Sequence, residues 1–209
     1  KKIPILVGGT GLYFKSLTEG LVSIPNIPIQ FRKKIRSLHL KLGQKKFFTN
    51  LVKLDPLVIK KINSSDTQRS IRAYEVKLFT KKSMYEWFKN TKSNYEKVDF
   101  YKIYIDFPRN DLVKKIETRA NEMVNSGAIQ EVKKFLKLRV SKNKSASKAI
   151  GINEVREYLA KKIKKEEVIE KISIKTRQYA KRQVTWARGQ MIGWNKIYPN
   201  SLNKILKKF

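Results

Sequence analysis

The stretch PILVGGTGLYF, residues 4–14, decides the fold. Ile3 to Val7 is a continuous apolar run closed by Gly8 and Gly9, the pattern of a strand buried on both faces. Gly8-Gly9-Thr10-Gly11 follows at once, and Leu12-Tyr13-Phe14 with Leu17 begins an apolar helix. A strand, a glycine turn and a helix start aim free backbone N–H groups and the positive end of a helix dipole at one place, a natural anion site. The turn lacks the GxxxxGK[ST] spacing of a Walker loop, and no Lys stands beside Thr10. Taken alone, its four residues also fit a plain tight turn.

Downstream, Ile24 to Ile29 (IPNIPI) is punctuated by Pro and reads as an extended linker. From Phe31 the chain turns to short Lys-rich amphipathic segments, with Leu38, Leu42, Phe47, Phe48, Leu51 and Leu54 as a small helical core. Asp55-Pro56 starts a further helix or turn. Ser65-Asp66-Thr67-Gln68 reads as a capping box with Gln68 at the third helical position. The helix it opens, QRSIRAYEVKLF, should put Ile71, Tyr74 and Leu78 inward and Gln68, Arg69, Arg72 and Glu75 on other faces. Residues 81–97 are poorly patterned. Phe100 to Phe107 (FYKIYIDF) alternates and is rich in aromatic and β-branched residues, so a strand is expected. Pro108 ends it, and Asn110 is placed to cap a helix with Asp111 in its first turn. Leu112, Ile116, Ala120 and Met123 form the buried stripe of that helix, and Gly127 terminates it. A helix over 129–138, a polar loop over 141–147, a short helix after Gly151, a long helix from about Glu166 to Met191 and a short basic tail complete the chain. Two strands do not close an α/β core, and the chain begins without Met, so strands preceding Lys1 are expected.

The long helix carries RQYAKRQVTWAR, residues 177–188. At about 100° per residue, Ala180, Val184, Ala187 and Met191 form a narrow apolar stripe suited to a core. Lys175, Arg177, Gln178, Lys181, Arg182, Thr185 and Arg188 fill a broad sector suited to phosphates, with Tyr179 and Trp186 on the far shoulder. The same pattern fits a solvated surface helix in a Lys-rich protein. Across the 209 residues, 48 Lys and Arg oppose 17 acidic residues, a formal charge of +31. Such an excess repels itself in the compact state unless a polyanion or salt screens it. Nucleic acid is the leading partner and an anionic membrane its rival, with part of the charge assigned to a compositional bias toward Lys. There are no cysteines and one histidine, His39, which removes disulfides and Cys/His zinc sites. No apolar run approaches the roughly 20 residues of a spanning helix, and the first residues lack a signal-peptide pattern.

No CxxC, HExxH or Gly-x-Ser-x-Gly occurs. The candidate bases Asp55, Asp66, Asp99, Asp106 and Asp111 have no evident partners, so spacing alone does not define an enzyme. Three motifs together change that. PILVGGTGLYFKSLTEGL at Pro4 to Leu21, D-x-QRSIRAYEV at Asp66 to Val76 and RQYAKRQVTWAR at Arg177 to Arg188 resemble, in kind, order and spacing, the tRNA dimethylallyltransferases (isopentenyltransferases). The Arg119-x₃-Met123 pattern and KAIGINEV at Lys148 to Val155 support the likeness, which covers almost the whole chain. The absence of cysteine matches the bacterial form, since eukaryotic relatives carry a C-terminal zinc finger.

The resemblance implies an α/β fold: a P-loop NTPase-like core, incomplete in this chain, with a mainly helical insertion. The core portion would comprise 1–30 and 98–209, and the tRNA-contacting insertion 31–97. It implies transfer of a dimethylallyl group from dimethylallyl diphosphate to N6 of the adenosine 3′ of the anticodon, a tRNA modification by a cytoplasmic, magnesium-using, RNA-binding prenyltransferase. By resemblance Thr10 and Arg32 touch tRNA, and Gln68, Arg69, Ser70, Ile71 and Arg72 hold the anticodon loop. Ser147, Lys148, Ala149, Ile150, Gly151 and Ile152 line the stem-loop side. So do Lys181, Arg182, Gln183, Val184, Thr185, Trp186, Ala187 and Arg188. Arg119 is the diphosphate candidate, with a structural ion pair as its alternative. The family often carries Arg or a similar polar residue after a Gly-aromatic pair, whereas this chain has Gly151-Ile152-Asn153. No metal ligand is visible. The family's Walker-type loop and its catalytic Asp and Thr lie before the glycine motif, so they fall outside these residues and the 209-residue chain is expected to bind without transferring. The implied partners are the tRNA anticodon stem-loop and the allylic diphosphate, with no membrane, and the chain is expected to be a monomer. A non-catalytic basic RNA-binding protein that has kept the scaffold, and a P-loop kinase fragment acting on a small substrate, are the rival readings.

Overall fold

A computed structural model describes residues 3–93, 95–96, 99–141 and 144–207. The chain forms two compact units, one of residues 1–11 with 101–209 and the other of residues 12–100.

The second unit is helical. Helix α1 (Gly11–Glu19) leads to an extended strap over 20–28. The strap was expected to be a free linker. It is instead packed: Ile27 is buried and Ile24 half-buried against the same core as Leu51, Val58, Ile62, Ala73 and Val76. Residues 12–30, grouped with the core portion in the sequence reading, thus lie in the helical unit. Helix α2 (Ile29–Leu54) is interrupted at Gly43, whose φ of 71° only glycine adopts without strain. Ile35, Phe47 and Leu51 are its buried residues, and Leu38, Leu42, Phe48 and Leu54 are half-buried. Asp55 closes α2 and accepts from Leu57 N (3.3 Å) to start the 3₁₀ turn Pro56–Val58, as its Asp-Pro pair suggested.

Helix α3 (Thr67–Thr80) begins one residue later than the capping-box reading required. Asp66 is the N-cap and accepts from Arg69 N at 3.0 Å. Asp outcompetes Ser65 because its carboxylate accepts the orphan N–H while opposing the helix dipole. Ser65 turns back to Asn63 Oδ1 instead. The inward face is also rotated. Ser70, Ala73, Glu75 and Val76 are buried, whereas Ile71, Tyr74 and Leu78 are half-buried. Glu75, expected on an outer face, is 1% exposed. The stretch read as unpatterned contains helix α4 (Met84–Phe88), opened by a full capping box between Ser83 and Glu86. Lys97, at its end, lies outside the described residues.

In the other unit, Ile3 to Val7 forms no strand and Val7 is 90% exposed. A strand buried on both faces needs a ladder neighbour and cover, and among the described residues this run has neither. The sheet consists of β1 (Ile103–Ile105) and β2 (Asn195–Ile197), parallel, with Tyr104 opposite Lys196. β1 is shorter than the expected 100–107 because β2 offers only three residues to pair. Helix α5 (Arg109–Asn125) starts directly after Pro108, so Asn110 lies inside its first turn and does not cap it. Its buried stripe is Ile116, Ala120 and Val124, at strict i, i+4 spacing, and Met123 is exposed. Helices α6 (Ala128–Lys137), α7 (Ile152–Leu159) and α8 (Lys165–Gln190) pack with α5 around Val132, Val155, Val168 and Ile172. The loop read over 141–147 includes 142–143, outside the described residues, and the tail forms a short helix α9 (Leu202–Leu206).

Two carboxylates at helix starts tie stability to pH. At Asp66 the Arg69 backbone N–H outweighs a small desolvation cost and, with the Arg69 side chain, holds the carboxyl below its usual pKa. At Glu154 burial pushes upward, but the hydrogen bonds from Lys175 and from the backbone N–H groups of Glu154 and Gly151 overcome it, and the net shift is again downward. Groups with depressed folded pKa values stabilise fully above their unfolded values, about 4, and lose that contribution as pH falls through the folded values. The melting temperature should therefore hold on descending toward pH 5 and drop below about pH 4. Asp66→Ala should cost about 1 kcal/mol in denaturant unfolding at neutral pH and should flatten part of the acid decline.

Candidate nucleic-acid interface

The glycine loop and the basic helix meet within one unit. Gln183 Nε2 donates to the Gly9 carbonyl at 2.9 Å. Trp186 lies so close to Gly11 that a Cβ there would collide with its six-membered ring. Gln183 and Trp186 are three residues apart, hence on one side of α8, and both face the loop. The loop thereby presents Thr10, exposed, just before α1 begins. The two ends of this seat are 174 positions apart in sequence, so no local pattern announced it.

Helix α8 divides along its length. Its first half buries Val168, Ile172 and Ser173 in the core. In its second half Ala187 is buried, Ala180, Val184 and Met191 are half-buried, and Lys181, Arg182, Thr185 and Arg188 are exposed. The expected stripe and sector are both present, with two exceptions at the N-terminal end. Lys175 pairs with the buried Glu154, and Arg177 pairs with Glu117 at 3.1 Å. The Arg182 guanidinium lies over the Tyr179 ring, 5.6 Å from its centroid, which limits its rotamers.

The turn before α7 is organised by the same buried acid. Glu154 Oε2 accepts from Gly151 N at 2.8 Å, and Gly151 has a φ of 105°. Lys148, Ala149 and Ile150 are exposed on this turn. Ser147 and Gly151 are buried and Ile152 half-buried, with the Ser147 hydroxyl donating to the Ser141 carbonyl at 2.9 Å. Arg119 is exposed on α5, in the turn before Val124.

In the helical unit Gln68 and Arg69 are exposed and Arg72 half-buried. Together with Lys61, Met84, Tyr85 and Phe88 they line an open hollow of about 500 Å³. The Tyr85 and Phe88 rings meet edge to face, 5.7 Å between centroids. Ser70 is buried, its hydroxyl donating to the Asp66 carbonyl at 2.7 Å, and Ile71 is half-buried. Arg32 lies near Glu75 rather than standing alone. Sequence reasoning missed the aromatic wall, although the Ser83-x-x-Glu86 signature would have revealed α4. Among the described residues no group of three or more His, Cys, Asp or Glu converges as a metal site. Among the described residues no helix is long and apolar enough to cross a membrane.

Comparison with known proteins identifies the family. A family model described as IPP transferase matches residues 1–190. The tRNA dimethylallyltransferase of Pelagibacter ubique (strain HTCC1062) is 56% identical over 208 residues, covering 100% of this chain and 66% of that protein. That of Rickettsia massiliae (strain Mtu5) is 41% identical over 191 residues, covering 91% of this chain and 53% of that protein. A crystal structure of a eukaryotic dimethylallyltransferase acting on tRNA matches with a TM-score of 0.78 at 25% identity, over 99% of this chain and 55% of that one. The tRNA delta(2)-isopentenylpyrophosphate transferase of Staphylococcus epidermidis gives a TM-score of 0.56 at 26% identity, over 99% and 69%. The chain belongs to the IPP transferase family. Its architecture is that family's α/β fold with a helical insertion, and it spans between about half and two-thirds of the length of these curated relatives.

Gly11→Ala tests the seat. With no room for a methyl group, Trp186 must swing away, so its fluorescence should shift toward that of a solvated indole. The unit should also lose about 1–3 kcal/mol of stability, read by denaturant unfolding in a Trp87→Phe, Trp194→Phe background.

Proposed function

We propose that this chain is the RNA-gripping portion of a tRNA dimethylallyltransferase, which alkylates N6 of the adenosine 3′ of the anticodon with dimethylallyl diphosphate. One observation carries the reading: Gln183 and Trp186 lock the basic half of α8 onto the glycine loop, so phosphate-binding cations and a helix start share one rim. The non-catalytic RNA-binding alternative is not favoured by relatives that are named as transferases.

An exocyclic adenine amine is a weak nucleophile. Its nitrogen must attack C1 of the allyl group as the C1–O bond breaks, diphosphate departs with the bonding pair, and the N6 proton passes to a base. Such a step needs a base near N6, cations on the leaving diphosphate and exclusion of water. It also needs the adenine out of its stack, at a cost of a few kcal/mol. The residues of this chain serve the second and last requirements. Lys181, Arg182 and Arg188 meet phosphates of the stem-loop, with Thr10 at the mouth and the 147–152 turn beside it. Gln68, Arg69 and Arg72 offer donors next to the Tyr85 and Phe88 rings, a combination that suits an unstacked loop base. Residues 31–97 act as the tRNA-contacting insertion. Arg119 is the cation assigned to the diphosphate, with a structural ion pair as its alternative. Magnesium would assist the departing diphosphate, but no residue described here is assigned to it. The whole acts as a monomer in the cytoplasm.

Two measurements test the reading. Residues 1–209 should bind an anticodon stem-loop in preference to random RNA of equal length, yet show no transfer from labelled dimethylallyl diphosphate. Turnover by this chain alone would refute the division of labour. Arg182→Ala and Arg69→Ala should each weaken stem-loop binding by about 1–3 kcal/mol and reduce the salt slope by about one charge. Unchanged binding in both variants would remove the surface.

A further inference from the structure

Glu75 is the least explained residue of the helical unit. It is 1% exposed, on a helix face that also carries Ala73 and Val76 in the core. Three guanidiniums surround it. Arg32 Nε is 3.3 Å from Oε2, Arg72 Nη1 is 3.5 Å from Oε2 and Arg36 Nε is 3.8 Å from Oε1. The three side chains are 42%, 40% and 59% exposed.

This is poor geometry for a stabilising pair. A strong Arg–carboxylate contact is bidentate at about 2.7–2.9 Å. Here Glu75 Oε1 and Arg32 Nε are both buried without a hydrogen-bond partner, so the carboxylate is held by charge at ion-pair distance. Burying a carboxylate costs several kcal/mol, and a buried ion pair is weak evidence for stability. One carboxylate shared by three arginines leaves a local surplus of two positive charges on side chains that remain 40–59% exposed. Arg32 and Arg72 also line a hollow of about 290 Å³, walled by Ile24, Pro25, Asn26 and Ile27. Two cations at the side of an open hollow, fixed from behind by one anion, form a preorganised anion clamp.

We propose that Glu75 is a positioning residue that gathers Arg32, Arg36 and Arg72 into one rigid clamp for backbone phosphates of a folded RNA. The clamp rests on the RNA-binding reading above and adds two residues, Glu75 and Arg36, that the reading did not include. Without the carboxylate the three guanidiniums repel one another and splay. The charge of the face rises, but its geometry is lost.

Glu75→Gln separates the two effects, because they have opposite signs. Simple attraction predicts tighter RNA binding when a negative charge is removed. The clamp predicts weaker binding of a labelled anticodon stem-loop, by about tenfold, with a salt slope shallower by at least one charge. Binding is measured with the full 209-residue chain, well below each variant's melting temperature, so a loss of fold alone does not move the slope. Equal or tighter binding with an unchanged slope overturns the proposal. If Glu75→Gln does not fold, Arg36→Gln replaces it, since Arg36 is the most exposed of the three. A several-fold loss and a slope reduced by about one charge support the clamp, and unchanged affinity overturns it. A wild-type chain that fails to prefer the stem-loop over random RNA overturns both the functional reading and the clamp. A wild-type chain that prefers it while the variants bind equally well overturns the clamp alone.

Discussion

A carboxylate withdrawn from water into a field of cations is the interaction on which this structure turns. The chain carries 48 basic and 17 acidic residues, yet the buried ionisable side chains among the described residues are all acids: Asp55, Glu75 and Glu154. Each sits where chain segments must be joined. Asp55 closes α2 and opens the turn that follows it. Glu75 draws arginines of α2 toward α3. Glu154 fixes Gly151 at the start of α7 and holds Lys175 of α8. Burying a charge is tolerated only where partners compensate it: cations do so at Glu75 and Glu154, and the Leu57 backbone N–H does so at Asp55. A few inward acids thus determine where many outward bases stand.

The long helix α8 shows how one element serves both packing and recognition. Its first half closes the core with Val168 and Ile172. Its second half retains one buried small residue, Ala187, which lets the backbone lie close while Gln183 and Trp186 reach the glycine loop. The loop has to be glycine where the indole lies on it. A bulky ring packed on a Cα without a side chain makes a flat, rigid joint, and rigidity lets the donors of the exposed sector keep their spacing. The cation–π contact of Arg182 on Tyr179 extends the same logic to a surface side chain.

Periodicity made the long helices legible. α8, α5 and α3 carry enough turns for an apolar stripe to be read, and the stripe of α8 stands where it was expected. Misreadings fell where a local rule met a stronger competitor. Pro108 began α5 before Asn110 had a chance to cap it, and Asp66 displaced Ser65 as the cap of α3. Ile3 to Val7 had the composition of a buried strand, but pairing depends on a neighbour and composition carries no information about one. β2 was invisible because three residues, NKI, hold no period. α4 was legible through its capping box and was overlooked for its brevity. At the site, the exposed sector of α8 and the basic face of α3 could be read from spacing, and the remaining candidate positions came from likeness to a family. Glu75 could not be found either way: a single glutamate in a Lys- and Arg-rich helix looks solvated until the arginines of α2 are brought beside it.

Charge also links recognition to stability. A compact body bearing a surplus of 31 positive charges repels itself, and repulsion of this kind is relieved when counterions or a polyanion gather on the surface. Any anion that gathers beside Lys181, Arg182 and Arg188 lowers the field felt by the other cations of that unit, so binding and folding reinforce one another through ordinary linkage. Arginines take the positions beside Asp66 and Glu75, whereas Lys175 is the cation held by Glu154. Lysine presents a single ammonium that an acid neutralises from whichever direction it approaches. Arginine's planar fork can face an internal carboxylate with one edge and an external phosphate with the other. Arg69 faces Asp66, and Arg32, Arg36 and Arg72 share Glu75, so each is oriented by an acid. Lysines scattered over the rest of the surface supply attraction at a distance, and the anchored arginines supply direction at contact.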